Sequence, residues 1–337
     1  MQTELETPAV ETELAYRHAI RAALADELAS DSAVVFFGED VAAAGGVFKT
    51  SEGLLEDFGP ERVFNTPIAE NSFIGMALGM AVTGLRPVVE IMFSDFLPTA
   101  ADAIVNELPK FRFMSGGQAS VPVTIRSMGG GTGRFGTQHS ATGESWFMAL
   151  PGLNVATAST PAAIYSTLRA AIRSSDPTLV IEHKALFNTK GLVNRSPEQI
   201  GQVGRAALLR TGTDATVVAT LLMAARSMEA AESLAEEGID LEVIDLQWIR
   251  PMDLEAVRSS LARTGRLVIV SEQYHAGSWG ATLVSALTRD GYRWQTPPRF
   301  VGLSEDLLVP YSPQLEDHVI PTVDRIASAC REVLGDA

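Results

Sequence analysis

Residues 66–93 read TPIAENSFIGMALGMAVTGLRPVVEIMF, and the fold turns on this stretch. Thr66 can cap a helix, Pro67 suits its first turn and Gly84 can end it. The pattern predicts a helix from near Pro67 to Thr83, apolar enough to be buried. The run Val88–Phe93 is too short for a helix and matches a buried strand. Upstream, the spacing of Leu14, Ile20, Leu24 and Leu28 predicts an amphipathic helix over 12–28, and Ala33–Phe37 predicts a second buried strand. Downstream come a helix from Thr99 to about Lys110, strands Pro122–Arg126, Val155–Thr157 and Leu179–Glu182, and a helix Ala162–Arg173. Strands and helices that alternate in this way imply a mostly parallel sheet covered by helices.

The rhythm breaks over 184–206, which holds Lys184, Lys190, Arg195 and Pro197 with little apolar periodicity. A second alternation follows, with strands Thr216–Thr220, Leu241–Leu246, Leu267–Val270 and Arg299–Gly302. Helices are expected over 224–237, from Asp253, over 279–290 and from Asp324 to Leu334. The fold class is α/β with two doubly wound domains, the second smaller. The expected division is a flexible tail 1–12, a first domain 13–190, a linker 191–206 and a second domain 207–337.

Composition narrows the function. The 337 residues carry 26 basic and 41 acidic side chains, a net charge of −15. That opposes wrapping of nucleic acid or docking on anionic lipid, and leaves room for a basic partner. The one cysteine, Cys330, rules out an intramolecular disulfide and a cysteine-built zinc site. No apolar run reaches the ~18 residues of a membrane span, and the acidic N-terminus is unlike a leader peptide. The expectation is a cytoplasmic protein that meets neither membrane nor nucleic acid.

Five features could carry chemistry. Gly131-Thr-Gly133-Arg-Phe-Gly136 is formally a dinucleotide fingerprint, but positions 150–162 lack the acidic residue such a site needs about 20 residues on. The cluster therefore reads first as a loop needing positive φ angles. His139, close behind it, is a candidate proton donor or a loop histidine bonded to backbone. Glu70 falls in the first turn of the helix that begins near Pro67. It is either a carboxylate favoured by the helix dipole or one that meets a ligand. Glu39 closes the first strand, where parallel sheets place their sites, and Asp102 lies in the following helical region.

Several short segments in fixed order carry a more specific signal: Gly38-Glu-Asp-Val41, Thr66-Pro-Ile-Ala-Glu70, Gly84-Leu-Arg-Pro-Val88, Met114-Ser-Gly-Gly117, Gln138-His-Ser140, Leu150-Pro-Gly-Leu153, Ser159-Thr-Pro161 and Ala170-Ala-Ile-Arg173. Together they make the chain resemble, from about Glu13 to Leu334, the β subunits of thiamine-dependent 2-oxo acid dehydrogenases. That family includes pyruvate, branched-chain 2-oxo acid and acetoin dehydrogenases. The resemblance implies a transketolase-like pyrimidine-binding domain followed by a transketolase C-terminal-like domain.

It also implies roles. Glu70 would bond the aminopyrimidine ring nitrogen of thiamine diphosphate and promote the imino tautomer that removes the thiazolium proton. Phe96 would pack on the pyrimidine, with Glu39, Ile68 and Met92 also lining the cofactor. His139 would handle substrate and acyl transfer to lipoyl groups. Glu39 and Asp102 would line a proton path between two cofactor sites. The carbonyls of Val123, Ala171, Ile172, Ser174 and Asp176 would hold a monovalent cation such as K+. Ala141 stands where many relatives have glutamine, and Ser72 where many have glycine. The Gly-Asp-Gly segment that binds metal and diphosphate is absent. The resemblance therefore implies an α subunit that brings Mg2+, in an α2β2 heterotetramer. A lipoyl acyltransferase would dock on the C-terminal domain near Glu305, Asp306, Glu316 and Asp317. The expected activity is oxidative decarboxylation of a 2-oxo acid. The alternatives are acetoin cleavage and half of a split transketolase. A non-catalytic protein of the same fold and a nicotinamide dehydrogenase stand further off.

Overall fold

The computed structural model describes residues 11–304 and 307–335. Residues 1–10 and the acidic pair Glu305 and Asp306 lie outside the described residues. In chain order the strands are β1 (Glu11–Ala15), β2 (Val34–Gly38), β3 (Val63–Asn65), β4 (Arg86–Phe93), β5 (Thr124–Gly129), β6 (Asn154–Thr157) and β7 (Thr178–His183). There follow β8 (Lys190–Asn194), β9 (Ala207–Arg210), β10 (Ala215–Ala219), β11 (Leu241–Asp245), β12 (Trp248–Arg250), β13 (Leu267–Val270) and β14 (Arg299–Val301).

Seven strands form one sheet in the order β12-β6-β7-β5-β4-β2-β3, parallel except for β12. Five form the second, β14-β13-β10-β11-β9, parallel except for β9. The expected doubly wound α/β architecture is present. Strands β2, β4, β5 and β7 are buried along almost their whole length, as strands covered on both faces must be.

The differences from the sequence expectation have local causes. Residues 12–28 are not one helix: Glu11–Ala15 is a strand, paired antiparallel with β8, and the helix is Tyr16–Ser30. The partner strand lies in the stretch expected to be linker, so pairing across more than 170 residues of sequence overrides local periodicity. The segment 94–114 is not one helix either. It runs as a 3-10 turn (Ser94–Ala100), a wide turn (Ala103–Glu107) and a short helix (Leu108–Met114), with Pro98 and Pro109 interrupting the helical ladder. The helix placed near Pro67 begins at Glu70. The Thr66 amide donates to the Gly38 carbonyl (2.9 Å), which keeps that residue tied to the sheet instead of capping the helix. Only one face of this helix is buried, through Phe73, Ile74, Ala77, Leu78 and Ala81. Ser72, Gly75, Met76, Gly79 and Val82 face outward.

The two sheets are stitched together. After leaving β11 the chain adds β12 to the edge of the first sheet, pairing Trp248 with Ala156 and burying the indole completely. One apolar cluster runs through both domains, from Phe73 and Ile125 to Ile244 and Trp279. Among the described residues no helix is long and apolar enough to cross a membrane.

Candidate active site

Parallel strands present their C-terminal ends on one edge, where Glu39 follows β2 and Phe96 follows β4. Gly38 ends β2 opposite Glu90 of β4. A Cβ at Gly38 would lie 2.5 Å from the Glu90 carbonyl oxygen, so only glycine lets the two backbones come this close. The next residue, Glu39, is buried, and its Oε1 has no hydrogen-bond partner among the described residues. Burial raises its pKa above the usual carboxylate range, and the carboxylates of Glu70 and Asp40 add to the shift. Glu70, half-buried, opens its helix beside it. A buried acid without a donor, next to a second acid, is costly unless a ligand supplies the missing hydrogen bond.

Aromatic rings line the adjoining wall. Phe96 sits in the 3-10 turn after β4. The His139 ring stands edge-on to Phe93 (4.8 Å between centroids) and to Phe96 (5.4 Å). Met92 is half-buried at the end of β4 and packs into the same cluster. Ile68, two residues before Glu70, is 83% exposed. Asp102 is exposed and accepts a hydrogen bond from Asn106 (2.8 Å). The next residue ties it to the site, because the Ala103 amide donates to Asn71 beside Glu70 (3.1 Å).

The loop after β5 is followed by a 3-10 turn, Thr137–His139, and not by a helix, which removes the dinucleotide reading of the glycine cluster. Gly130 has φ +88°, and a Cβ there would lie 1.8 Å from His183 Nε2. Behind the loop is a buried acid–base pair that the sequence reading did not single out. His183 Nδ1 accepts from the Ala185 amide (3.1 Å), so neutral His183 carries its proton on Nε2 and donates to Glu272 (3.2 Å). Glu272 also accepts from the Gly131 amide (2.8 Å), and its carboxyl lies below the usual range despite burial, with His183 the main counterweight. Glu272 belongs to the second domain, so no local pattern joins it to a loop 141 residues away. Lys184 and Asp95, which accepts from the Ala141 amide (3.3 Å), are the other residues missed. Lys184 stands where β7 ends, the same positional signal that singled out Glu39.

The carbonyls expected to hold a monovalent cation lie at the opposite edge of the sheet, before β5 and β7. Ile172 and Ser174 both accept from Arg86 Nη1 (3.1 Å each). Val123 accepts from the Thr178 amide (2.9 Å), Ala171 from the Ser174 amide (3.1 Å) and Asp176 from the Thr178 hydroxyl (3.3 Å). Each of the five carbonyl oxygens accepts a hydrogen bond and keeps a second lone pair. Glu316, expected on a docking surface, is fully buried and its carboxylate is engaged by the Arg134 guanidinium and amide. Asp317, 66% exposed at its side chain, shares that guanidinium.

One buried acid near the site predicts a pH dependence. Glu144 is fully buried, its Oε2 lacks a partner among the described residues, and burial pushes its pKa up to about 8. The native state thus favours the neutral acid, while the unfolded carboxyl ionises near 4.5. The stability this group contributes is present below the unfolded value and is lost as pH rises to about 8. Urea midpoints measured near pH 5 and pH 8 should therefore converge in Glu144→Gln. An unchanged gap between the two would show that Glu144 does not titrate in this way.

Comparison with known proteins agrees with this fold. Residues 12–190 match the family model described as "Transketolase, pyrimidine binding domain", and residues 204–326 match "Transketolase, C-terminal domain". The chain is 37% identical over 317 residues to the pyruvate dehydrogenase E1 component subunit beta of Rhizobium meliloti (strain 1021), covering 94% of this chain and 69% of that one. It is 36% identical over 330 residues to the acetoin:2,6-dichlorophenolindophenol oxidoreductase subunit beta of Bacillus subtilis (strain 168), covering 94% and 96%. The solved structure of a split-gene transketolase, described as an inactive beta4 tetramer, superimposes with a TM-score of 0.77 at 24% identity, over 96% of this chain and 98% of that one.

Proposed function

Because the chain belongs to the transketolase-like family that includes the β subunits of pyruvate and acetoin dehydrogenases, we propose that it is the β subunit of a thiamine-dependent 2-oxo acid dehydrogenase. In that role it takes part in oxidative decarboxylation of a 2-oxo acid with acyl transfer to a lipoyl group. The observation that carries this reading is the pair Glu39 and Glu70. They form a buried acid without a donor and a half-buried neighbour at an edge that leaves Ile68 bare.

The residues fit the aminopyrimidine end of thiamine diphosphate. Glu70 holds a proton at the ring nitrogen, and Glu39 gains the hydrogen-bond partner it lacks. Phe96 supplies an apolar face and His139 a proton carrier on the same wall. Bound there, the coenzyme supplies the carbanion chemistry that amino-acid side chains do not. The diphosphate and Mg2+ belong on an α subunit that covers Ile68, in an α2β2 assembly. A lipoyl acyltransferase docks on the second domain, where Asp317 is exposed and Glu316 is buried.

The test is reconstitution. The chain alone, supplied with thiamine diphosphate and Mg2+, should give no decarboxylation of pyruvate or branched-chain 2-oxo acids and no cleavage of acetoin. Adding the chain that bears the metal–diphosphate segment should restore one of these activities. Turnover by the lone chain would refute the split site. Turnover with acetoin alone would move the substrate assignment to that of the Bacillus subtilis relative.

A further inference from the structure

We propose that Lys184 is a positioning residue that fixes the backbone of His139 and so aims its ring at the site. The inference rests on the reading of His139 as a group that handles substrate.

Lys184 directly follows β7 and opens a short 3-10 turn, Lys184–Leu186. It is 8% exposed, an unusual place for an ammonium. Nζ reaches across the edge of the sheet and donates to the carbonyl oxygen of His139. Two rings sleeve the charge, Phe135 at 4.7 Å from its centroid and Phe93 at 6.0 Å. Burial pulls its pKa down to about 8, while the carboxylates of Glu272, Asp95 and Glu316 work in the other direction.

A methionine would fill the same apolar sleeve without the cost of desolvating a charge. What the charge adds is a strong hydrogen bond to one particular carbonyl. That bond matters because His139 has little else to orient it. Among the described residues neither of its ring nitrogens makes a hydrogen bond; the ring meets Phe93 and Phe96 in T-shaped contacts and lies within electrostatic reach of Asp95. Phe93 serves both residues, as a face to the ammonium and as a partner to the imidazole. The main chain of His139 therefore sets where the imidazole points, and Lys184 holds that main chain at its carbonyl while the His139 amide donates to the Gly136 carbonyl (3.3 Å). A displacement of about 1 Å in such a group can cost on the order of a hundredfold in rate.

The experiment is a double-mutant cycle in the reconstituted α/β complex, with hydrogen exchange as a readout independent of turnover. Lys184→Met should lower kcat by about 10–100-fold when His139 is present and by less than about threefold in a His139→Ala background. Amides within 134–142 should exchange faster, with the rest of the chain unchanged. Phe135→Leu trims a side chain that is already 37% exposed. It should move both readouts the same way by less, and it serves if Lys184→Met does not fold. Equal losses of kcat in both backgrounds, or unaltered exchange over 134–142, would overturn the proposal. If His139→Ala retains full turnover, the catalytic reading of His139 fails on its own, and exchange alone decides whether Lys184 holds that backbone.

Discussion

Glu70→Gln should lower turnover of the reconstituted complex by about 10²–10⁴-fold, the range for removing a positioned proton donor or acceptor. The amide keeps the shape of the side chain and can still hydrogen-bond, but it cannot exchange a proton with a ring nitrogen. Folding should be almost untouched. At the first turn of a helix the carboxylate gains about 0.3–1 kcal/mol from the helix dipole, and it loses some of that to Glu39 beside it. Steady-state rates and thermal melts on the same preparations separate the two effects. A melt that falls in step with the rate would assign Glu70 to the scaffold. A rate within about tenfold of the parent would remove it from the chemistry.

The largest loss of stability is expected one strand further in, at Arg126. This side chain is 1% exposed. It binds Glu182 with two parallel bonds (2.8 and 3.0 Å) and Glu90 with a third (2.8 Å). Glu90 faces Arg126 directly in the β4–β5 register, and Glu182 projects from β7 on the other side. Burial pushes the pKa of Glu182 up, and the guanidinium holds it down against that pressure. Arg126→Met would leave two buried acids facing each other with no cation. Breaking a buried ion pair from one side costs about 3–5 kcal/mol. The denaturant midpoint should fall accordingly, and the triple variant Arg126→Met, Glu90→Gln, Glu182→Gln should recover much of the loss. A cost below about 1 kcal/mol for Arg126→Met would mean that the acids are already neutral in the native protein.

The ion triad and the active edge share a cause. Glu90 lies opposite Gly38, so the close approach that places Glu39 also brings β2 against the strand holding the triad. A substitution at Gly38 would push the β2 terminus away from Glu90 and displace Glu39 with it.

The α/β class, the alternation in both halves and the candidates Glu39, Glu70 and His139 could be read from residue order, whereas Phe96 comes only from the family likeness. The former rest on short-range information: an apolar run of strand length, a stop glycine, an acid at a helix start, a histidine behind flexible backbone. The ordered segments from Gly38 to Arg173 also carry the family likeness without reference to any contact. What could not be read depends on residues far apart in the chain. Strand β1 exists because β8 lies beside it, and β12 because the first sheet has a free edge. Neither partner is visible in a local window. The pairing of Glu272 with His183, the donors to the expected cation carbonyls and the burial of Glu316 likewise join distant positions. Only the tertiary structure brings those groups within hydrogen-bond range. A buried charge is settled by whichever group the fold places opposite it, and not by its neighbours in sequence.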